Sequence, residues 1–282
     1  MDDDHRHRGD LSHDIDTLMR VNLERRRVLR WSLGAGVLPL IGCGSNSPGA
    51  GGGAGSGGAS AAGTGGASGT NGSCARIPEE TAGPFPGDGS NGPNVLNLSG
   101  IVRGDIRSSF GALSGTAGGV PLTVTLDLVA SGASCANLAG YAVYIWHCDR
   151  EGRYSLYSAG ATDQNYLRGV QQAGADGTLS FTTVFPGCYA GRWPHIHFEI
   201  YKSLADAAAV GNKVATSQLA LPQAACTDVY ATAGYEASVG NLAMLSLATD
   251  MVFSDGATAQ LPAMTGDATT GYIATLRVPV PG

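Results

Sequence analysis

The chain has 282 residues, only 14% of them Asp, Glu, Lys or Arg, and a formal charge of −6. Seven arginines balance seven acidic side chains up to Cys43, so the negative excess lies entirely in the remainder and argues against nucleic acid as a partner. Much of its glycine is concentrated in one tract, which divides the chain before any element is assigned.

The first expected element is an export signal over residues 1–43. The segment ERRRVLR, Glu24 to Arg30, precedes the apolar run WSLGAGVLPLI and then Gly42 and Cys43. A basic stretch, a short apolar stretch and a small residue are the parts of such a signal. The apolar run is about half the roughly twenty residues that a stable membrane-crossing helix needs, so cleavage is expected. Leu40-Ile41-Gly42-Cys43 resembles a bacterial lipobox, and Arg25 and Arg26 with Val28 and Leu29 resemble a twin-arginine signal. Cys43 is then the lipidated N-terminus of a membrane-anchored lipoprotein at the cell envelope; an ordinary secretory signal, giving a periplasmic or secreted protein, is the alternative. Residues 44–73 are Gly, Ala, Ser, Thr and Asn with almost nothing to bury. Such a flexible linker of about thirty residues has a root-mean-square reach of about 30 Å.

Residues 74–282 read as one β domain. VLNLSGIVRGDI, PLTVTLDLVA, YAVYIWHC, TLSFTTVF, HIHFEIY, LATDMVF and YIATLRVPV carry β-branched or aromatic residues, often in alternation, between Gly, Asp, Asn and Pro turns. The expected fold is all-β, an antiparallel β-sandwich with long decorating loops, one of them Tyr154 to Gly177. The Ala-rich stretches around Leu204 to Val210 and Tyr235 to Leu245 suit one or two short helices.

After Cys43 the histidines are His147, His195 and His197. In a strand, His195 and His197 project from one face together with Glu199, while Ile196, Phe198 and Ile200 face the core. Two imidazoles on one face suit a metal, although H-x-H also occurs in zinc hydrolases, cupins and plain exposed strands. Upstream, FPGCYAGRWPHIH places Tyr189 and Arg192 in a Gly- and Pro-stiffened loop. Tyrosinate is a hard anionic ligand suited to ferric iron, and Tyr154 in YAVYIWHCDREGRYSLYS offers a second phenol, with Tyr157 in reserve. His147 reads as a structural hydrogen-bonding residue.

GRYS, the PGCYAGRWPHIH block and the earlier ETAGPFPGDG resemble the intradiol ring-cleavage dioxygenases, among them protocatechuate 3,4-dioxygenases and catechol 1,2-dioxygenases. The resemblance runs from about Cys74 to the C-terminus. It implies a non-haem Fe(III) site with Tyr154, Tyr189, His195 and His197 as ligands, Tyr189 being the one that substrate displaces. It also implies that Arg192 stabilises charge on a bound catecholate, that Gln218 sits beside the oxygen site, and that Thr81, Gly83, Pro84 and Phe85 line the pocket. The implied reaction opens a catechol-type ring between its hydroxyl-bearing carbons with O2, giving a cis,cis-muconate-type product without an organic cofactor. Five cysteines follow Cys43, and Cys148 is expected to pair with Cys188, bracing the two tyrosine loops; the alternative is that both are buried thiols. Two rival readings remain: another H-x-H metalloenzyme with Glu199 as third ligand, and a non-catalytic ligand-binding sandwich. The ring substituents of the substrate and the oligomeric state are open.

Overall fold

The computed structural model describes residues 74–282; the export signal, Cys43 and the Gly-rich linker lie outside the described residues. Within them two four-stranded sheets face one another, ordered β4-β1-β8-β7 and β3-β2-β5-β6. The strands are β1 (Pro121–Ala130), β2 (Ala142–Trp146), β3 (Arg168–Gln172), β4 (Thr178–Val184), β5 (His195–Tyr201), β6 (Ala215–Ala220), β7 (Ala263–Asp267) and β8 (Gly271–Val280). Two helices, α1 (Gln223–Tyr230) and α2 (Glu236–Ala243), and several single 3-10 turns lie between β5 and β7.

The all-β sandwich is as expected, with one departure from antiparallel pairing. β1 and β8 run parallel, while every other strand pair is antiparallel. Parallel neighbours need a long crossover, and most of the domain separates these two strands in sequence.

Alternation builds the shared core. Leu122, Val124, Leu126 and Leu128 of β1 and Leu276 and Val278 of β8 meet Val143 and Ile145 of β2 and Ile196, Phe198 and Ile200 of β5. The opposite faces of the two sheets differ. On β1 the alternate positions Thr123, Thr125 and Asp127 are half-buried, whereas β2, β5 and β6 are buried along their whole length. Parts of the stretch from Ala82 to Phe110 and the loop from Tyr154 cover the outer face of the second sheet. They form there another apolar cluster with Val95, Leu96, Ile101, Tyr144, Trp146, Tyr154 and Tyr201.

That cover explains where the sequence pattern misled. VLNLSGIVRGDI is not a strand: Val95, Leu96 and Ile101 are buried by lying over a sheet face, and only isolated bridges such as Val102 to Val170 join it to a strand. LATDMVF is a turn, because the Asp250 carboxylate accepts hydrogen bonds from the backbone N–H of Val252 and Phe253 and curls the chain. The expected loop from Tyr154 to Gly177 contains β3, and the first expected helix shrinks to a 3-10 turn at Asp206–Ala208, whereas the second is found as α2.

The cysteine pairing is corrected. Cys74 is bonded to Cys135, and Cys148, Cys188 and Cys226 are free and buried. Cys148 Sγ points to the carbonyl of Gly187 at 3.4 Å, and Cys188 Sγ lies 3.7 Å from the carbonyl of Arg192, so each thiol has its own backbone acceptor. Alkylation of the unfolded, unreduced chain followed by peptide mapping should label Cys148, Cys188 and Cys226 and spare Cys74 and Cys135. A linked Cys148–Cys188 peptide would contradict this arrangement.

Candidate active site

β5 lies between β2 and β6, with His197 in register with Trp146 on one side and Gln218 on the other. The Trp146 indole stacks on the His197 ring, with centroids 4.9 Å apart and planes 3° from parallel. This cross-strand pair holds the imidazole upright on the covered face. His195 is set by its other nitrogen: Nδ1 bonds the carbonyl of Trp193 at 2.5 Å. A carbonyl only accepts, so Nδ1 carries the proton and Nε2 is left with a bare lone pair.

Three further polar atoms converge on that lone pair. His197 Nε2 lies 3.0 Å away, and the phenol oxygens of Tyr154 and Tyr189 each lie 3.3 Å away. One lone pair is satisfied by one good hydrogen bond, so a hydrogen-bond network has no use for three neighbours there. A metal ion bonded to its donors at about 2.0–2.1 Å, by contrast, spaces adjacent donors about 2.9–3.4 Å apart, between right-angled and tetrahedral geometry. The measured separations fall in that interval. Among the described residues no three His, Cys, Asp or Glu side chains are grouped to hold an ion, so a metal at the histidine pair would be completed by the phenols.

The two phenols arrive on loops locked against each other. Before Tyr154, the buried Asp149 carboxylate accepts from the backbone N–H of Glu151 and Arg153 and from the Tyr166 hydroxyl, closing a tight turn. Gly152 in that turn has φ +83°, and a Cβ on it would lie 3.0 Å from the Tyr189 Cβ, so only glycine allows the loops to approach this closely. The Tyr189 loop is pinned by α2, through the Cys188 N–H to Ser238 Oγ and Asn241 Nδ2 to the Cys188 carbonyl.

Electrostatics favour a cation. Burial pushes the Tyr154 phenol well above its ordinary range and the Tyr189 phenol up to about 12, with the Arg192 guanidinium pulling both back. Burial also drives His195 and His197 well below the usual histidine range, leaving both imidazoles neutral, the form that binds metals. A multivalent cation offsets the burial that opposes phenolate formation.

The remaining expected residues gather round this group unevenly. Arg192 is buried, donating from Nε to Asp250 at 3.0 Å and from Nη2 to Gln218 Oε1 at 2.7 Å, and Gln218 in turn donates to the Thr81 carbonyl. Gly83 fits against His197: with φ +68°, a Cβ there would lie 3.3 Å from its ring. Phe85 packs on Tyr154 and Tyr157 at centroid distances of 5.0 and 5.2 Å. Thr81 joins through its carbonyl, its hydroxyl being taken by the Gly83 N–H, and Pro84 is tied to the Asn91 side chain rather than to the donor group.

Three candidates stand apart. Tyr157 bonds Asn91 and the Gly87 N–H. Glu199 is held by Lys213 and Tyr201. His147 engages both ring nitrogens, with the Cys148 carbonyl and Thr183, and burial drops it to about 4. Trp146 and Asp250, which touch His197 and Arg192, and Arg168, which bonds the carbonyls of Phe85 and Ser155 in the covering segments, are residues that sequence reasoning missed. Trp146 had a signal, since it stands on a strand that pairs with the H-x-H strand; the other two carried none.

The chain matches no protein-family model and no curated protein. It is similar to the solved structure of an intradiol ring-cleavage dioxygenase from Tetranychus urticae, 24% identical over 74% of this chain and 95% of that one, with a TM-score of 0.58. It is more loosely similar to the dioxygenase domain of a dioxygenase carbohydrate-binding fusion from Streptomyces sp. SirexAA-E, 23% identical over 73% of this chain and 98% of that one, TM-score 0.47. A chlorocatechol 1,2-dioxygenase from Pseudomonas putida is 16% identical over 72% of this chain and 71% of that one, TM-score 0.45. At these identities the likeness to the Tetranychus urticae enzyme shows a shared fold.

Metal analysis after equilibrium dialysis should find one ion per chain. His195→Ala and His197→Ala should each weaken binding by at least about a hundredfold, the upper end of what losing even a supporting residue costs. Glu199→Gln should leave the stoichiometry unchanged.

Proposed function

We propose that the domain is a non-haem iron(III) intradiol dioxygenase that opens a catechol-type ring between its two hydroxyl-bearing carbons, incorporating both atoms of O2. The observation that carries this reading is the convergence of two phenols and the His197 imidazole at 3.0–3.3 Å on the His195 Nε2 lone pair. Two hard anionic oxygens with two imidazoles suit ferric iron better than zinc or copper. The shared fold with the Tetranychus urticae enzyme, whose name states intradiol ring cleavage, agrees.

Ferric iron, when bound, supplies a Lewis-acidic and redox-active centre that accepts electron density from a deprotonated catechol and so makes the ring reactive toward O2. The chain's own residues do the rest. His195 and His197 are fixed by the Trp193 carbonyl and the Trp146 ring and serve as constant ligands. Tyr154, fully buried behind Phe85, is the lasting phenolate. Tyr189 stands on a loop, and its phenolate oxygen would accept one of the two catechol protons, the other passing to hydroxide from solvent. Arg192 aims a planar cation at the charge that develops on the ring oxygens. Gly83 and Phe85 close the His197 and Tyr154 sides to water. Catechol and O2 together hold every atom and electron of the muconic-type diacid, so no further reductant or cofactor is required.

Tyr189→Phe should shift the visible tyrosinate band of the iron-loaded protein and slow oxygen uptake with catechols by at least about tenfold, whereas Tyr157→Phe should do neither. Colour loss in Tyr157→Phe alone would overturn the ligand set. A red-brown protein that takes up no oxygen with any of a panel of catechols would favour a binding protein over an enzyme.

The domain is further proposed to work outside the cytoplasm, anchored through a lipid on Cys43 or released if unlipidated. The Cys74–Cys135 bond supports an oxidising compartment. Mass spectrometry of the mature N-terminus should find Cys43 first and lipid-modified; an unmodified N-terminus would remove the anchor.

A further inference from the structure

Asp250 lies between α2 and β7, far from the metal-site motifs in sequence, and is fully buried. Its carboxylate meets four N–H donors. Oδ1 accepts from the backbone of Val252 at 2.8 Å and Phe253 at 3.1 Å, and Oδ2 accepts from the Trp193 backbone at 2.7 Å and from Arg192 Nε at 3.0 Å. One oxygen therefore anchors both the guanidinium and the main chain two residues before His195.

Arg192 is held at a second point, Nη2 to Gln218 Oε1 at 2.7 Å, and its guanidinium carbon lies 6.0 Å from the centre of the Phe253 ring. Gln218 is the cross-strand neighbour of His197 and is itself tied to the Thr81 carbonyl at 2.8 Å. The fork is thus fixed at Nε by Asp250 and at Nη2 by Gln218, and Nη1 is the nitrogen that neither of these two contacts uses. An arginine free to turn about its side-chain bonds would not keep that edge aimed at one place.

We propose that Asp250 is a positioning residue of the ring-opening reaction: it sets the orientation in which Arg192 presents its Nη1 edge to the negatively charged oxygen of the bound catecholate. The inference rests on the reading under Proposed function. Asp250 touches neither the donor group nor the ring and acts only through Arg192 and the loop that carries it.

The test is a double-mutant cycle in the full, iron-loaded chain with Asp250→Asn, Arg192→Lys and the double variant, using catechol as substrate. An asparagine has the same shape but offers one oxygen to four N–H donors, so two of them must face an NH2 group. Iron content and the visible tyrosinate band should stay as in wild type. For Asp250→Asn, kcat should fall by at least about tenfold while KM changes by less than about threefold, the pattern of a contact made in the transition state rather than the ground state. The two substitutions should not multiply: the double variant should be within about twofold of Arg192→Lys alone. Asp250→Asn with kcat within twofold of wild type, or effects that multiply fully, would overturn the inference while leaving the functional reading intact. A wild-type chain that binds no iron or turns over no catechol overturns the functional reading and this inference with it. Should Asp250→Asn fail to fold, Asp250→Glu, which keeps the charge and moves the carboxylate by one methylene, carries the same expectation in the same cycle. Failure of both to fold assigns Asp250 to the framework alone and overturns the inference.

Discussion

A buried nitrogen with no proton of its own is the constraint on which the rest of this domain depends. His195 commits its Nδ1–H to the Trp193 carbonyl, and the remaining lone pair then faces a second imidazole and two phenols, of which Tyr154 is buried and Tyr189 partly so. By itself such a cluster crowds three polar neighbours onto one lone pair, an arrangement that a hydrogen-bond network does not require. The desolvation that keeps the phenols protonated and the imidazoles neutral is the same effect that a multivalent cation reverses. On the proposed reading the site is prepared by burial and would be completed by a bound cation.

That burial requires a sheet covered on both sides, and the cover is held by a cation that meets no carboxylate among the described residues. Arg168 is buried and uses all five of its N–H donors on neutral acceptors: the carbonyls of Phe85, Pro86 and Ser155, and the hydroxyls of Ser155 and Tyr144. An isolated buried charge is expensive unless every donor is met, and here the partners come from three separate stretches of chain. One side chain consequently ties the segment that carries Phe85, the loop that carries Tyr154, and the strand beside the histidines.

How much of this could be read from the sequence depended on whether a feature was local. The two-residue alternation of His195, His197 and Glu199 against Ile196, Phe198 and Ile200 follows from strand geometry alone, and the structure has it so. The approach of Tyr154 and Tyr189 to that pair is not local; it was supplied by a family resemblance and not by spacing. Short or polar strands such as RGVQQ and AMTGD have no alternating apolar face, so β3 and β7 were invisible. VLNLSGIVRGDI failed in the opposite sense, because apolar residues that lie over a sheet look in sequence like residues within one. The Cys148–Cys188 pairing rested on proximity to the two tyrosines, yet each thiol is turned toward its own carbonyl. Asp250 and Arg168 are the clearest limits, since a lone charged residue reveals its partners only when the chain is folded.

The Cys74–Cys135 bond also has a mechanical consequence. Cys74 exchanges two backbone hydrogen bonds with Gly132, just beyond the end of β1, and is covalently joined to Cys135. Ile77 then bonds the carbonyl of Pro279 on β8, all before the chain reaches Thr81. A pull applied to the backbone just ahead of Cys74 is therefore received by a covalent link at the tip of β1 and spread as shear along the β1–β8 ladder. The stretch from Thr81 to Phe85, where Gly83 lies against His197, follows both ties in the chain, so the direct load path along the β1–β8 ladder does not run through the histidine–tyrosine cluster.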